Sequence, residues 1–271
     1  MCHTCVTEAV KRSMLSRRQL FMGAGAIGAA SAASTTLGAR TALAQASGRV
    51  VDLTHAFDEN FPTFDGNPGM AREWAVKIEE SGYQLWKLTI WQHSGTHIDA
   101  PLHFSADGES VDELPVEHLI APLCIVDITA KANEDANAAV EPADIEAWVA
   151  ANGELPQHAC VAMHSGWAAK VGSPEYRNTP DGNFAFPGFS KAATDMLAEA
   201  GVACIGVDTL SLDPGNSQDF AVHNSWLPGG RFGIENLDGL DQLPAAGATV
   251  FIGSPKIKDG TGGLARVVAM L

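Results

Sequence analysis

A short segment of the chain carries four side chains of the types that bind metals or move protons in enzymes. From residue 93 to residue 103 it reads His-Ser-Gly-Thr-His-Ile-Asp-Ala-Pro-Leu-His. Imidazole nitrogens and carboxylate oxygens are ligands for divalent cations such as zinc and manganese. The cluster predicts a metal site with His93, His97 and Asp99 as ligands, and His103 beside it as a proton carrier. A chance group of loop histidines is the plainer alternative.

The residues before this segment predict how it is positioned. Trp86, Leu88 and Ile90 alternate with more polar neighbours, which is typical of a half-buried strand. If the extended backbone continues, residues 93, 95, 97 and 99 all point to one face of that strand. Pro101 then ends regular pairing and leaves His103 on a loop beside the cluster.

A helix is the competing geometry, because His93 and His97 are also spaced as i and i+4. That spacing occurs in zinc proteases, where a Glu follows the first His. Here Ser94 follows it, Gly95 lies inside the segment, and the flanking residues are β-branched and aromatic. The composition therefore favours the strand.

The pattern His-x-Gly-Thr-His-x-Asp-x-Pro-x-His resembles the signature of the cyclase family of metal-dependent hydrolases, which includes bacterial kynurenine formamidases and isatin hydrolases. The resemblance covers most of residues 49–271. It implies an α/β protein with a cyclase-like swivelling β/β/α fold, a mixed central β-sheet or barrel and flanking helices. It also implies one or two divalent metals, Mn²⁺ or Zn²⁺, per chain.

The resemblance extends to residues that spacing alone would not single out. In relatives with two metals, a His and a Glu at the places of His223 and Glu235 complete the second position, bridged by the aspartate that matches Asp99. We expect both residues in loops. A polar-x-Gly-Trp turn of the family matches the segment from His164 to Trp167.

An aromatic substrate would need ring faces in its pocket. We therefore take Trp74, His164 and Trp167 as candidate substrate-binding residues, although plain packing is an equal alternative for His164 and most tryptophans are core residues. Asp208, at the end of an apolar run, is expected to anchor structure rather than to react.

The metal site and His103 predict a metal-dependent hydrolase, and the family resemblance implies an amide substrate, either an arylformamide such as N-formylkynurenine or a cyclic amide such as isatin. Water activated by the metal attacks the carbonyl, and His103 is the general base. The sequence contains no Gly-x-Ser-x-Gly motif for a serine nucleophile. A non-enzymatic periplasmic protein that binds a metal or ligand on the same scaffold, and a cyclase or dehydratase using the same site, are the alternatives.

The beginning of the chain has the pattern of an export signal. Arg17 and Arg18 form a twin-arginine motif, a Gly- and Ala-rich apolar run follows, and Ala42-Leu43-Ala44 fits a cleavage site. We predict a signal peptide over residues 1–44, the twin-arginine export machinery as partner, and a periplasmic enzyme. Cys2-x-x-Cys5 would be lost with the signal.

The remaining residues, 45–271, are expected to form a single hydrolase domain that takes a small-molecule substrate. The net charge of −15 disfavours nucleic acid and anionic membrane surfaces as partners, and no segment predicts membrane integration. Cys124, Cys160 and Cys204 lie in apolar runs and are expected to be buried strand thiols. The family resemblance implies a homodimer or larger assembly.

Overall fold

The computed structural model describes residues 48–271, so the predicted signal peptide and Cys2-x-x-Cys5 lie outside the described residues. The strands are β1 (Val50–Asp52), β2 (Met70–Val76), β3 (Leu85–Ile90), β4 (His97–Asp99), β5 (Ile120–Asp127), β6 (Ala139–Val140), β7 (Cys160–His164), β8 (Gly188–Phe189), β9 (Cys204–Val207), β10 (Phe232–Glu235), β11 (Ala248–Gly253), β12 (Gly262–Leu264) and β13 (Arg266–Met270). The α-helices are α1 (Ile78–Ser81), α2 (Thr129–Glu134), α3 (Pro142–Asn152), α4 (Lys191–Glu199) and α5 (Ala221–Trp226). In this part of the chain no helix is both long and apolar enough to cross a membrane.

Nine strands form one mixed sheet in the order β1-β13-β11-β5-β7-β9-β10-β4-β12. The four middle strands β5, β7, β9 and β10 run parallel to one another, and antiparallel strands extend the sheet on both sides. A parallel centre of this kind must be covered on both faces, which explains the nearly continuous apolar sequence of β5, β7 and β9. The expected mixed α/β fold is therefore confirmed.

The two faces of the sheet carry separate apolar clusters. On β5, Leu123 and Ile125 contribute to one cluster, while Cys124 and Val126 contribute to the other. The first cluster joins the inner side chains of strands from β1 to β13. The second includes side chains from α3, α4 and α5, so these helices cover the other face. This alternation follows from the period of two along a strand.

The two longest helices begin at capping residues that are recognisable in the sequence. Helix α3 starts with Pro142 in its first turn, held by a capping box between Glu141 and Asp144, and its C-cap is Gly153. Helix α4 starts after Ser190, whose hydroxyl accepts the backbone N–H of Ala193. The start of each helix is therefore set by side chains that lie within a few residues of it in the sequence.

The three cysteines of the described chain are buried and reduced, as predicted. Cys160 and Cys204 are register partners on β7 and β9, with their sulfurs 3.5 Å apart. Burial raises the pKa of the Cys124 thiol to about 12. These thiols act as small apolar side chains of the sheet.

Strands β2 and β3 form a separate two-stranded sheet, and residues 72–87 make up a compact unit of their own within the described residues. In this unit Trp74 stacks on Trp86, with ring centroids 3.6 Å apart. The predicted strand is confirmed, but its predicted half-burial is wrong, because Trp86 and Leu88 are exposed. Alternation reveals the period of a strand and not the sheet that it joins.

A homodimer or larger assembly stays a prediction.

Gly262 provides a test of how tightly β12 packs on β4. A Cβ atom at this position would lie 2.4 Å from the carbonyl oxygen of Ile98 and 2.5 Å from Cε1 of His93. We expect Gly262→Ala to lower the free energy of unfolding by about 1–3 kcal/mol, because overpacking forces the backbone or the ring to move. Denaturant unfolding measures this change.

The matched control is Gly253→Ala on β11. There an added Cβ meets nothing closer than the carbonyl oxygen of Arg266 at 3.4 Å. Equal midpoints for the two variants would contradict the predicted close packing at Gly262.

Candidate active site

The segment that carries the predicted ligands is not one continuous strand. Strand β4 contains only His97 and Asp99 with Ile98 between them, and His93 lies in the preceding loop. Gly95 breaks the extended backbone with a φ of +62°, and the ring of Phe57 occupies the place of a side chain there. The expectation that all three ligands share one strand face is therefore wrong for His93 and right for His97 and Asp99.

The neighbours of β4 bring two further site residues to it. Strand β10 pairs with β4 so that Glu235 is the register partner of His97. Ala100 stays extended, and Pro101 starts a single 3₁₀ turn that ends at His103. The ring of His103 stacks on that of His93, with centroids 3.7 Å apart. The turn after Pro101 thus places His103 beside the cluster, as predicted.

His223 lies in helix α5 and Glu235 at the end of β10, so the expectation of two loop residues is wrong. The carboxylate of Asp213 accepts the backbone N–H groups of Val222 and His223, which holds the first turn of α5. It also accepts the Nδ1–H of the His223 ring at 2.6 Å. Asp213 is a positioning residue that the sequence analysis missed, because this cap lies nine residues before Val222.

The imidazoles of His97 and His223 are each fixed by one nitrogen and present the other to two carboxylates. His97 donates its Nδ1–H to the carbonyl of Gly95 at 2.8 Å. Its Nε2 lies 3.3 Å from Oδ1 of Asp99 and 3.4 Å from Oε2 of Glu235. Nε2 of His223 lies 3.5 Å from Oδ2 of Asp99 and 3.4 Å from Oε1 of Glu235. Such outer partners set the tautomer of metal-binding histidines.

The donor atoms fit a divalent cation. Nε2 of His97 and Oδ2 of Asp99 are buried and have no hydrogen-bond partner, which is costly unless something else satisfies them. Two groups of side chains bring their ligand atoms within 4.8 Å of one another, and Asp99 belongs to both. One group adds His93 and His103, the other His97 and Glu235. The grouping keeps a ligand role for His103 open beside its role as a base.

The electrostatics of the centre are set by two buried carboxylates. Burial would raise the pKa of Asp99, but His97 and the hydrogen bonds of the neighbouring histidines hold it well below its usual range. Burial and the charge of Asp99 raise the pKa of Glu235. Although burial lowers it, Asp99 and Glu235 together raise the pKa of His97 to about 9. The carboxylates require positive charge, from ring protons or from a cation.

His103 differs from the other histidines of the centre. Burial lowers the pKa of His103 to about 4; attraction by Asp99 opposes this shift, and the electrostatic interactions with His93 and His223 add to it. The ring is therefore neutral near pH 7 and has a lone pair available. A neutral imidazole beside a set of ligand-type side chains is suited to accept a proton.

All six predicted metal-binding and catalytic residues line one cavity of about 290 Å³. They are His93, His97, Asp99, His103, His223 and Glu235. The lining also includes the apolar side chains of Phe64, Phe104, Leu210 and Phe220. The polar cluster thus lines a small pocket whose wall also contains phenylalanine rings.

The candidate substrate-binding residues lie at other places. Trp167 is buried and donates its indole N–H to the carbonyl of Tyr176. His164 lines a different cavity and approaches Asp127, with Nδ1 3.6 Å from a carboxylate oxygen. Asp208 accepts the backbone N–H of Trp167 and so anchors this turn, which is the structural role that the sequence predicts.

Trp74 belongs to the hairpin unit described above, and its role in substrate binding stays a prediction, as do those of His164 and Trp167. The sequence analysis missed Phe64, Phe104 and Phe220, which form the aromatic wall. Single phenylalanines in irregular segments carry no local signal. Only Phe104, directly after His103, lies close enough to the motif to have been noticed.

Comparisons with known proteins agree with this geometry. The model of the family described as Cyclase matches residues 51–214. The chain is 30% identical to an isatin hydrolase of Roseibium aggregatum over 262 residues, covering 89% of this chain and 98% of that protein. It is 29% identical to a kynurenine formamidase of Salinibacter ruber, covering 70% of this chain and 82% of that protein.

Solved structures show the same likeness. An isatin hydrolase bound to the product analogue thioisatinate matches with a TM-score of 0.77 and 27% identity, over 83% of this chain and 92% of that chain. Isatin hydrolase A from Ralstonia solanacearum matches with a TM-score of 0.79 and 29% identity, over 89% of this chain and all of that chain. Since the likeness extends from the sequence to the fold and over nearly the full length of these relatives, the chain belongs to the cyclase family.

Proposed function

We propose that this protein is a metal-dependent hydrolase that opens the C–N bond of a small aromatic amide, either an arylformamide such as N-formylkynurenine or a cyclic amide such as isatin. One observation carries the proposal. A neutral His103 lies directly against a cluster of ligand-type side chains, at the edge of an aromatic pocket. A pure metal-binding site has no need of such a base.

The metal would be Mn²⁺ or Zn²⁺, held by His93, His97, Asp99, His223 and Glu235. When bound, a divalent cation polarises a carbonyl oxygen and makes a water molecule more acidic. Nitrogen and oxygen donors suit both metals. The group of His97, Asp99 and Glu235, which contains no His103, supports at least one ion per chain.

In the reaction, His103 accepts a proton from the water molecule that adds to the carbonyl carbon. The C–N bond then breaks, and His103 returns the proton to the leaving nitrogen. An arylformamide gives formate and an arylamine, whereas a cyclic amide gives a ring-opened amino acid. The side chains of Phe64, Phe104 and Phe220 pack on the aromatic ring and keep bulk water away from His103.

The substrate class is supported by the size and lining of the pocket and by the two kinds of relative. A cavity of about 290 Å³ with aromatic walls fits a one- or two-ring compound. The relatives named above are an isatin hydrolase and a kynurenine formamidase. Predicted export disfavours routine intracellular breakdown of tryptophan, so a cyclic amide is our first choice.

Turnover is expected to depend on the metal. The purified protein should hydrolyse isatin or N-formylkynurenine, lose activity after chelation and regain it with added Mn²⁺ or Zn²⁺. The reason is that Asp99, Glu235 and the histidine nitrogens that face them need a cation between them before they can take part in the reaction. Absorbance assays of both substrates, with metal content measured in parallel, test this. Bound metal without turnover of any amide would favour a binding protein or a cyclase.

His103→Asn tests the general base. We expect kcat to fall by about 10²- to 10⁴-fold because the proton acceptor is lost, while the metal content stays near that of the unaltered protein. His118→Ala, a change in another histidine stacked on a histidine ring, is the control and should leave kcat unchanged. Loss of stoichiometric metal in His103→Asn would instead assign His103 as a ligand.

We also propose that the protein is exported to the periplasm through the twin-arginine machinery. Replacing both Arg17 and Arg18 by Lys should leave the protein in the cytoplasm, because the export machinery recognises the paired arginines of the signal peptide. Arg12→Lys is the control and should be exported normally. Cell fractionation measures both, and export of the double variant would contradict the proposal.

A further inference from the structure

Behind His93 lies a pair of side chains that the proposed chemistry does not use. Oγ1 of Thr261 lies 2.9 Å from Nε2 of the His93 ring, on the side away from Asp99. The same hydroxyl lies 2.7 Å from Oε1 of Gln92. The backbone N–H of Thr261 also points to this oxygen, at 3.2 Å. His93, Thr261 and Gln92 therefore form one chain of polar contacts.

The direction of each hydrogen bond in this chain follows from counting protons. A backbone N–H can only donate, so the Gln92 atom that faces Thr261 is its carbonyl oxygen, which can only accept. The hydroxyl of Thr261 must then donate its single proton to Gln92. Only lone pairs of this hydroxyl remain for His93, so Nε2 of His93 carries a proton and donates it to Thr261.

This assignment leaves Nδ1 of a neutral His93 ring without a proton, 2.6 Å from Oδ1 of Asp99. Two acceptor atoms so close together require a positive charge between them, either a second ring proton or a cation. His97 and His223 show the opposite orientation, because each donates its Nδ1–H and presents Nε2. His93 would therefore be the ligand that uses its other nitrogen.

We propose that Thr261 and Gln92 are positioning residues that fix His93 as the Nε2–H tautomer and so present Nδ1 to the metal. Gly262, next to Thr261, has no side chain, and this lets the His93 ring lie against β12. The inference rests on the proposed metal site for its consequence. The proton on Nε2, which Thr261 accepts, is a property of the protein alone.

The tautomer is measured directly by long-range ¹H–¹⁵N spectra of the protein labelled at histidine nitrogens. We expect Nε2 of His93 to carry a proton in the metal-free protein, and His93 to coordinate through Nδ1 after addition of Zn²⁺. Comparison with His93→Gln assigns the signal. Coordination through Nε2, or an Nε2 without a proton in the metal-free protein, would overturn the proposal.

Two pairs of variants test the chain of polar contacts from Gln92 through Thr261 to His93. The readout is zinc affinity, measured by competition with a chromophoric chelator. Thr261→Val removes the acceptor, and Gln92→Met frees the hydroxyl to donate to His93. Each should weaken zinc binding by about 10- to 100-fold, the usual effect of losing an outer partner of a ligand. Thr261→Ser and Gln92→Glu keep the hydrogen-bond acceptors. Their zinc affinity should stay within about threefold of that of the unaltered protein, which is clearly smaller than the loss expected for the other two variants.

Thermal unfolding of the metal-free variants separates these effects from damage to the fold. Weak zinc binding by both Thr261→Ser and Gln92→Glu would refute the positioning role of Thr261 and Gln92. Unchanged zinc affinity in both Thr261→Val and Gln92→Met would also refute it. If the unaltered protein binds no zinc, the proposed function fails. The spectra of the metal-free protein still show whether Nε2 of His93 carries a proton.

Discussion

Two carboxylates buried side by side, Asp99 and Glu235, impose the constraint on which the centre of this protein depends. Each would lose several kcal/mol of hydration on burial without compensation, and together they also repel. Two imidazoles compensate for this lost hydration and repulsion, because His97 and His223 each direct a nitrogen at both carboxylates. Asp213 and the carbonyl of Gly95 in turn hold those rings. The cluster is thus a balanced set of charges in which a cation can replace ring protons.

The sheet determines why these groups meet. Asp99 and Glu235 lie on the neighbouring strands β4 and β10, whose antiparallel register places Glu235 opposite His97. Strand β4 has three residues, and its short length lets the chain enter through Gly95 and leave through Pro101. The irregular backbone on either side carries His93 and His103 to the same cavity. Regular pairing fixes the carboxylates, and the flanking turns add the two histidines, His93 and His103, to the lining of the cavity.

The sequence predicted the composition of this centre better than its backbone. Four ligand-type residues within eleven positions are enough to locate the candidate metal site. The sequence predicts Gly95 on the face of a strand, although its positive φ is what turns the chain. Whether a glycine is extended or left-handed depends on what packs against it, here Phe57, and no local pattern records that.

Long-range contacts account for the other differences. Helix α5 exists because Asp213, several residues upstream, accepts its first N–H groups, so a short polar segment that reads as a loop becomes a turn of helix. The aromatic wall draws Phe64, Phe104 and Phe220 from three separate segments. Spacing in the sequence is informative where one element carries several functional groups. It is silent where each element supplies one.

The same distinction separates His93 from the other two histidines. The support of His97 comes from Gly95, two residues away, and that of His223 from Asp213, ten residues away. His93 depends on Thr261, which is 168 residues away and precedes an edge strand of the sheet. A ring held this way cannot be oriented until β12 has paired with β4. Full assembly of the ligand set is therefore coupled to completion of the sheet, and a cation that binds the assembled set stabilises the last strands as well as the site.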